Sequence, residues 1–100
     1  MLDAARQAHA FVRERTELPA HEKSTYSLVY LLQVVGEAAA RLTPETRAAM
    51  PAVRWPVIIG MHNRLVHEYY DVNLGVIRDT AVTNLPPLVA ELERHLAGDA

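Results

Sequence analysis

Leu28, Leu31, Leu32, Val35, Ala39 and Leu42 recur at spacings of three and four, and this stripe limits the fold more than any other feature. Residues so spaced share one face of an α-helix and would scatter over both faces of a strand. The same period runs through Leu2, Ala5, Ala8 and Val12, with Asp3, Arg6, Gln7, Arg13 and Glu14 turned away. It returns in Ile58, Met61, Leu65 and Val72, and in Leu74, Ile77, Ala81, Leu85, Leu88, Leu92 and Leu96. No stretch alternates with period two. The chain is predicted to be all-α.

Prolines and caps divide these patterns. Leu18-Pro19 interrupts the first helix. Leu42-Thr43-Pro44-Glu45 stops the second and starts a short one, because Thr43 can cap, Pro44 suits the first helical position and Glu45 favours the positive end of the helix dipole. That short helix reaches about Met50 and is closed by Pro51; Trp55-Pro56 opens the next, and Asp71 or Asn73 separates it from the last. Pro86 and Pro87 fall inside the last pattern. An interior proline costs about 3 kcal/mol, which predicts a kink near Val82 to Leu85 or two shorter helices in line. The expected architecture is one domain over 1–100, an antiparallel up-and-down bundle of four long helices with a short linking one.

Composition limits function by exclusion. At 100 residues there is room for one core of marginal size. A net charge of −2 provides no global basic field, so RNA contact has to be local or built by joining two copies. The absence of cysteine removes disulfides and thiolate metal sites and fits a reducing compartment. Neither a signal-like start nor an apolar run of membrane-spanning length is present, so a soluble cytoplasmic protein without a membrane partner is expected. Ala4, Ala5, Ala8 and Phe11 in the first helix, with Val34, Val35 and Ala38 in the second, exceed one apolar stripe. They make either a dimer surface or a broad core face.

One run stands apart from this apolar background. From Gly60 to Val72 the chain reads Gly-Met-His-Asn-Arg-Leu-Val-His-Glu-Tyr-Tyr-Asp-Val, with two imidazoles, an amide, a guanidinium, two carboxylates and two phenols. On a continuous helix Asn63, Arg64, His67 and Asp71 line one side, and His62, Val66 and Tyr69 form a neighbouring stripe. His62 and His67 then lie about 140° apart, placed to border one groove from opposite walls. His67 with Asp71 is the most natural metal pair, yet two ligands do not make a site. Neither a metal nor another cofactor is called for. Taken alone, Arg64 suits a phosphate contact or an ion pair with Glu68, and Glu37 suits either an acidic contact in the cleft or solvent. Trp55 reads as a core anchor at a helix start.

The chain resembles the HepT-like proteins of the HEPN superfamily, the toxin half of HepT–MntA toxin–antitoxin pairs. The matching segments are Val34-Val35-Gly36-Glu37-Ala38-Ala39, Leu42-Thr43-Pro44-Glu45, Trp55 through Met61, Asn63-Arg64-Leu65-Val66-His67-Glu68-Tyr69 and Leu85-Pro86-Pro87-Leu88. The family's first helix usually starts several residues before the position of Met1, so part of it is expected to be missing here. The resemblance implies a homodimer with an active-site cleft between subunits, acting as a metal-independent endoribonuclease in which the ribose 2′-hydroxyl attacks the neighbouring phosphate. Histidine suits the proton transfers because its unperturbed pKa is about 6.5. The family motif is an arginine, four residues, a histidine, one residue and a tyrosine. The histidine falls on His67, the polar residue after the arginine on Asn63, and the tyrosine on Tyr69. In the family that tyrosine is where the MntA nucleotidyltransferase attaches AMP to silence the toxin, and added bulk and charge beside the cleft would keep RNA out.

One position departs from the motif. Its arginine is replaced by His62. Neutral imidazole cannot grip a phosphate as guanidinium does, and Arg64 lies about 200° around the helix from position 62. Either the chain is a weakened or inactive member kept for dimerisation or antitoxin binding, or His62 and His67 act as an acid–base pair. Any ribonuclease activity is then expected to be reduced and to rise toward mildly acidic pH, where His62 can carry charge. A role as substrate-binding subunit of a nucleotidyltransferase is a third reading.

Overall fold

The computed structural model describes residues 1–15, 18, 22–68 and 72–98. Its regular structure is helical throughout: α1 (Leu2–Arg13), α2 (Lys23–Arg41), α3 (Pro44–Ala48), α4 (Trp55–His67) and α5 (Leu74–Gly98). The predicted four long helices and one short linker are all present.

Local chemistry sets the boundaries. Thr43, which precedes a proline, is extended (φ −67°, ψ 155°), so the chain leaves the helical region there. Its hydroxyl oxygen accepts from the Thr46 backbone N–H at 3.1 Å, and Pro44 begins α3. Of the two residues expected to separate the last helices, Asn73 caps α5, its side-chain oxygen accepting from the Val76 N–H at 3.2 Å. Asp71 lies outside the described residues.

Two boundaries differ from expectation. Helix α4 stops at His67, where Glu68 turns to φ −131° and ψ 28° while its N–H still closes the last turn on the Arg64 carbonyl at 2.8 Å. The helical placement expected as far as Val72 therefore ends at position 67. Helix α5 runs as one element through Pro86 and Pro87, without the division into two helices that was one expected outcome. The carbonyls that two missing N–H groups leave free belong to Val82 and Thr83, both on the exposed side, where water can satisfy them. Just upstream, the Asn84 side-chain amide donates to the Thr80 carbonyl at 2.8 Å.

The core takes Ala5, Ala8 and Val12 from α1, Leu28, Leu32, Val35 and Ala39 from α2, Ile58, Met61 and Leu65 from α4, and Ile77, Ala81, Leu85, Leu88 and Leu92 from α5. Each fully buried leucine or isoleucine contributes roughly 1.5–3 kcal/mol. Trp55 is buried at the start of α4, and its Nε1–H donates to the carbonyls of Arg47 (3.1 Å) and Met50 (3.3 Å), which anchors the α3–α4 corner. Some members of the expected stripes are less buried than the pattern implies. Leu2, Leu31, Leu42, Leu74 and Val72 are only partly buried, and Leu96 is exposed. Much of the apolar excess considered for a dimer surface belongs to the core. Ala4, Ala5, Ala8 and Val35 are buried, whereas Phe11, Val34 and Ala38 are half-buried. Among the described residues no helix is long and apolar enough to cross a membrane.

The helices pack unevenly. Helix α2 lies most extensively on α4, α1 on α5 and α2, and α4 meets α5 only lightly. The bundle is thus closed on three sides and thin along the α4–α5 seam, beside the polar run.

Candidate functional site

Helix α4 displays its polar residues on opposite flanks. By the helix period Gly60, Asn63, Arg64 and His67 fall within about 100° of one another, and His62 points the other way. Asn63, Arg64 and His67 are exposed, and His67 is the last residue of the helix. Its imidazole is open to any ligand that approaches the end of α4. The Arg64 guanidinium lies 3.9 Å from the Glu68 carboxylate, with both side chains more than half exposed, so this ion pair holds Arg64 weakly.

His62 faces α2. A Cβ added to Gly36 would overlap the His62 Cβ and come within 2.6 Å of its Cγ, so the imidazole sits directly on the glycine backbone. That contact is the reason for a buried glycine inside α2, since its φ is ordinary and no left-handed turn requires it. The His62 Nδ1 is buried with no hydrogen-bond partner among the described residues, a condition shared only with the Thr25 Oγ1. His62 and His67 are therefore on different sides of α4 and are not brought together as neighbours on one flank. A phosphate contact from His62 in this orientation falls to Nε2.

Other sequence candidates resolve simply. Glu37 is exposed and accepts from Arg41 at 2.7 Å, one turn away on its own helix. Tyr69, the expected modification site, and Asp71, considered with His67 as a metal pair, lie outside the described residues. Among the described residues no three histidine, aspartate or glutamate side chains cluster as metal ligands would.

A groove of about 210 Å³ follows the thin α4–α5 seam, lined by Val57, Gly60, Met61 and Arg64 from α4 and by Val76, Ile77 and Thr80 from α5. Gly60 makes room for it, because a Cβ at that position would meet no atom within 4 Å. Sequence reasoning did not single out Gly36, Gly60 or Thr80 as functional. A glycine inside a helical pattern was the available signal, since it costs about 0.5–1 kcal/mol relative to alanine and calls for a reason. A larger hollow of about 460 Å³ between α1 and α2, lined by Gln7, Tyr26, Ser27, Tyr30 and Leu31, includes nothing from the polar run.

Comparison with known proteins places the chain in a family. The family model described as Ribonuclease HepT-like matches residues 1–95. "Putative RNase TTE0752" of Caldanaerobacter subterraneus subsp. tengcongensis is 35% identical over 72 residues, covering 72% of this chain and 64% of the relative. "Putative RNase MJ1216" of Methanocaldococcus jannaschii is 29% identical over 69 residues, covering 69% and 57%. "Probable ribonuclease HepT" of Thermococcus cleftensis is 23% identical over 73 residues, covering 73% and 66%. The chain thus spans roughly three-fifths of the length of these relatives. No solved structure matches it. With nearly its whole length matched by one family model, the chain belongs to the Ribonuclease HepT-like family.

Proposed function

We propose that the chain is an RNA-cleaving toxin of a toxin–antitoxin pair, a metal-independent endoribonuclease whose cleft forms between two copies. The observation that carries this reading is the exposed His67 at the open end of α4, with Asn63 and Arg64 on its flank, in a member of a ribonuclease family. A base removes the proton of a ribose 2′-hydroxyl, whose oxygen bonds to the adjacent phosphorus. The bond from phosphorus to the 5′-oxygen breaks, and that leaving oxygen takes up a proton. Imidazole can perform either transfer near neutral pH, and two copies would bring two His67 rings to one cleft. Arg64 supplies a fixed positive charge for a phosphate, and Asn63 a neutral donor. Silencing by a nucleotidyltransferase antitoxin of the MntA type, through AMP transfer to Tyr69, completes the reading.

The first test is cleavage of a labelled RNA by the chain and by its His67→Ala variant. Loss of general acid–base catalysis is expected to lower the rate by roughly 10²–10⁴-fold. Because His67 is exposed, its stability should change by no more than about 0.5 kcal/mol. Equal cleavage by both proteins would remove His67 from the chemistry. AMP transfer is tested separately, by mass spectrometry after incubation with the antitoxin and ATP, with a Tyr69→Phe control.

A second reading draws on His62. The position of the motif arginine holds an imidazole packed on Gly36 with one nitrogen enclosed, which favours a weakened enzyme or a helical dimer that only binds its nucleotidyltransferase. RNA that stays intact at high protein concentration, together with a stable complex with the transferase, would select that reading.

A further inference from the structure

We propose that the α4–α5 groove, floored by Gly60 and edged by Arg64 and Thr80, is the subsite that takes one nucleotide of the RNA beside the phosphate to be cut. This inference rests on the nuclease reading and assigns it a place for the substrate.

Four observations converge on the groove. First, Gly36 and Gly60 contrast: a Cβ at Gly36 would overlap the ring packed against it, whereas a Cβ at Gly60 would meet nothing within 4 Å. Gly60 also has an ordinary backbone, so neither packing nor conformation accounts for the missing Cβ. What its absence provides is open space. Second, the volume of about 210 Å³ is below the roughly 300–1,000 Å³ of pockets that enclose a whole small ligand, and so suits one unit of a longer one. Third, the surfaces match a nucleotide. Val57 and Ile77 offer apolar walls to the faces of a base, and Thr80 adds a polar side chain to the α5 wall. Arg64 places a guanidinium at the rim, held only by a 3.9 Å pair with Glu68 that a phosphate can displace. Unstacked bases of single-stranded RNA stack on arginine guanidinium planes as well as on aromatic rings, and Arg64 is the group in this lining that offers such a plane. Fourth, Gly60 and His67 lie almost in line along α4, about 20° apart, so a strand seated over Gly60 continues toward the imidazole.

The test uses the whole chain and a fluorescent single-stranded oligoribonucleotide with 2′-O-methyl groups, which binds but cannot cyclise. Gly60→Leu should raise its Kd at least about tenfold, and Gly60→Ala about two- to threefold. Gly60→Ala should melt no lower than the parent, because a Cβ there meets nothing within 4 Å, and both variants should keep the parent's sedimentation behaviour. His67→Ala should fail to cut unmodified RNA, which tests the nuclease reading apart from the affinity of the Gly60 variants. Parental affinity in Gly60→Leu, alongside normal cleavage by the parent, overturns the subsite and leaves the nuclease reading standing. A change of oligomeric state in Gly60→Leu also overturns it and makes the groove an interface between copies. A parent that neither binds the probe nor cuts RNA ends both. Should the leucine variant fail to fold, the alanine variant decides: wild-type affinity in it counts against the subsite.

Discussion

At the scale of single residues, the question is what an imidazole does at position 62. Its Cβ and Cγ rest on the Gly36 backbone, and its Nδ1 is enclosed without a partner among the described residues. Arginine shares those first two carbons and then extends, so it can keep the seat on Gly36 and carry its charge beyond it. Hydrogen bonds to a charged group contribute about 1.5–3 kcal/mol, which corresponds to roughly 10–100-fold in rate when made to a transition-state phosphate. His62→Arg is accordingly expected to raise kcat/KM for RNA cleavage by that factor, measured with a fluorogenic substrate. An unchanged rate would show that position 62 does not contact the reacting phosphate. Residue types and spacing made His67, Asn63 and Arg64 readable as a set, because all three fall on the part of α4 that remains helical. The surroundings of His62 were not readable. Its seat depends on a glycine 26 positions away by number, on another helix, and no local pattern encodes that meeting.

Elements were the most legible level. Apolar residues at three-and-four spacing located all four long helices, and Thr43-Pro44 located the short one, because amphipathic period and capping act within a few residues. Helix ends were less so. The departure of Glu68 from helical angles has no proline or glycine beside it to announce it, and the continuity of α5 through Pro86-Pro87 depends on which carbonyls face water. The tight α2–α4 contact is the element-level feature with the sharpest consequence. A methyl group at position 36 has to push α4 away or force the ring at 62 from its seat. Overpacking of this kind costs about 1–3 kcal/mol. For a chain of this size Gly36→Ala should therefore lower the Tm by roughly 5–20 °C, at about 4–8 °C per kcal/mol. Gly60→Ala, an identical substitution one helix away, should not lower it at all. Thermal melts followed by circular dichroism compare the two directly, and equal melting of Gly36→Ala and the parent would mean that the helices are not held together at this point.

For the whole molecule, charge and surface bear on the proposed pairing of two copies. With a net charge of −2 the chain attracts RNA only where its few cations gather, and a single copy offers one Arg64 and one His67. Two copies related by a twofold axis double that local charge without changing the fold. Exposed apolar side chains are available for such contact on α4 and α2. Val66, next to His67, is 48% exposed on α4, and Tyr26 and Tyr30 are exposed one turn apart on α2, the helix packed against it. If the cleft is shared, the Tm rises with protein concentration, because association stabilises only the folded chain. Val66→Arg then separates the interface from the chemistry. Its added positive charge favours RNA binding by electrostatics alone, so a loss of cleavage cannot be attributed to repulsion. We expect this variant to sediment as a monomer, to lose the concentration dependence of its Tm and to cleave at least about tenfold more slowly, while its circular dichroism spectrum stays that of the parent. A monomeric parent that cleaves at full rate would mean that one copy suffices, and that the ends of α4 need not face each other.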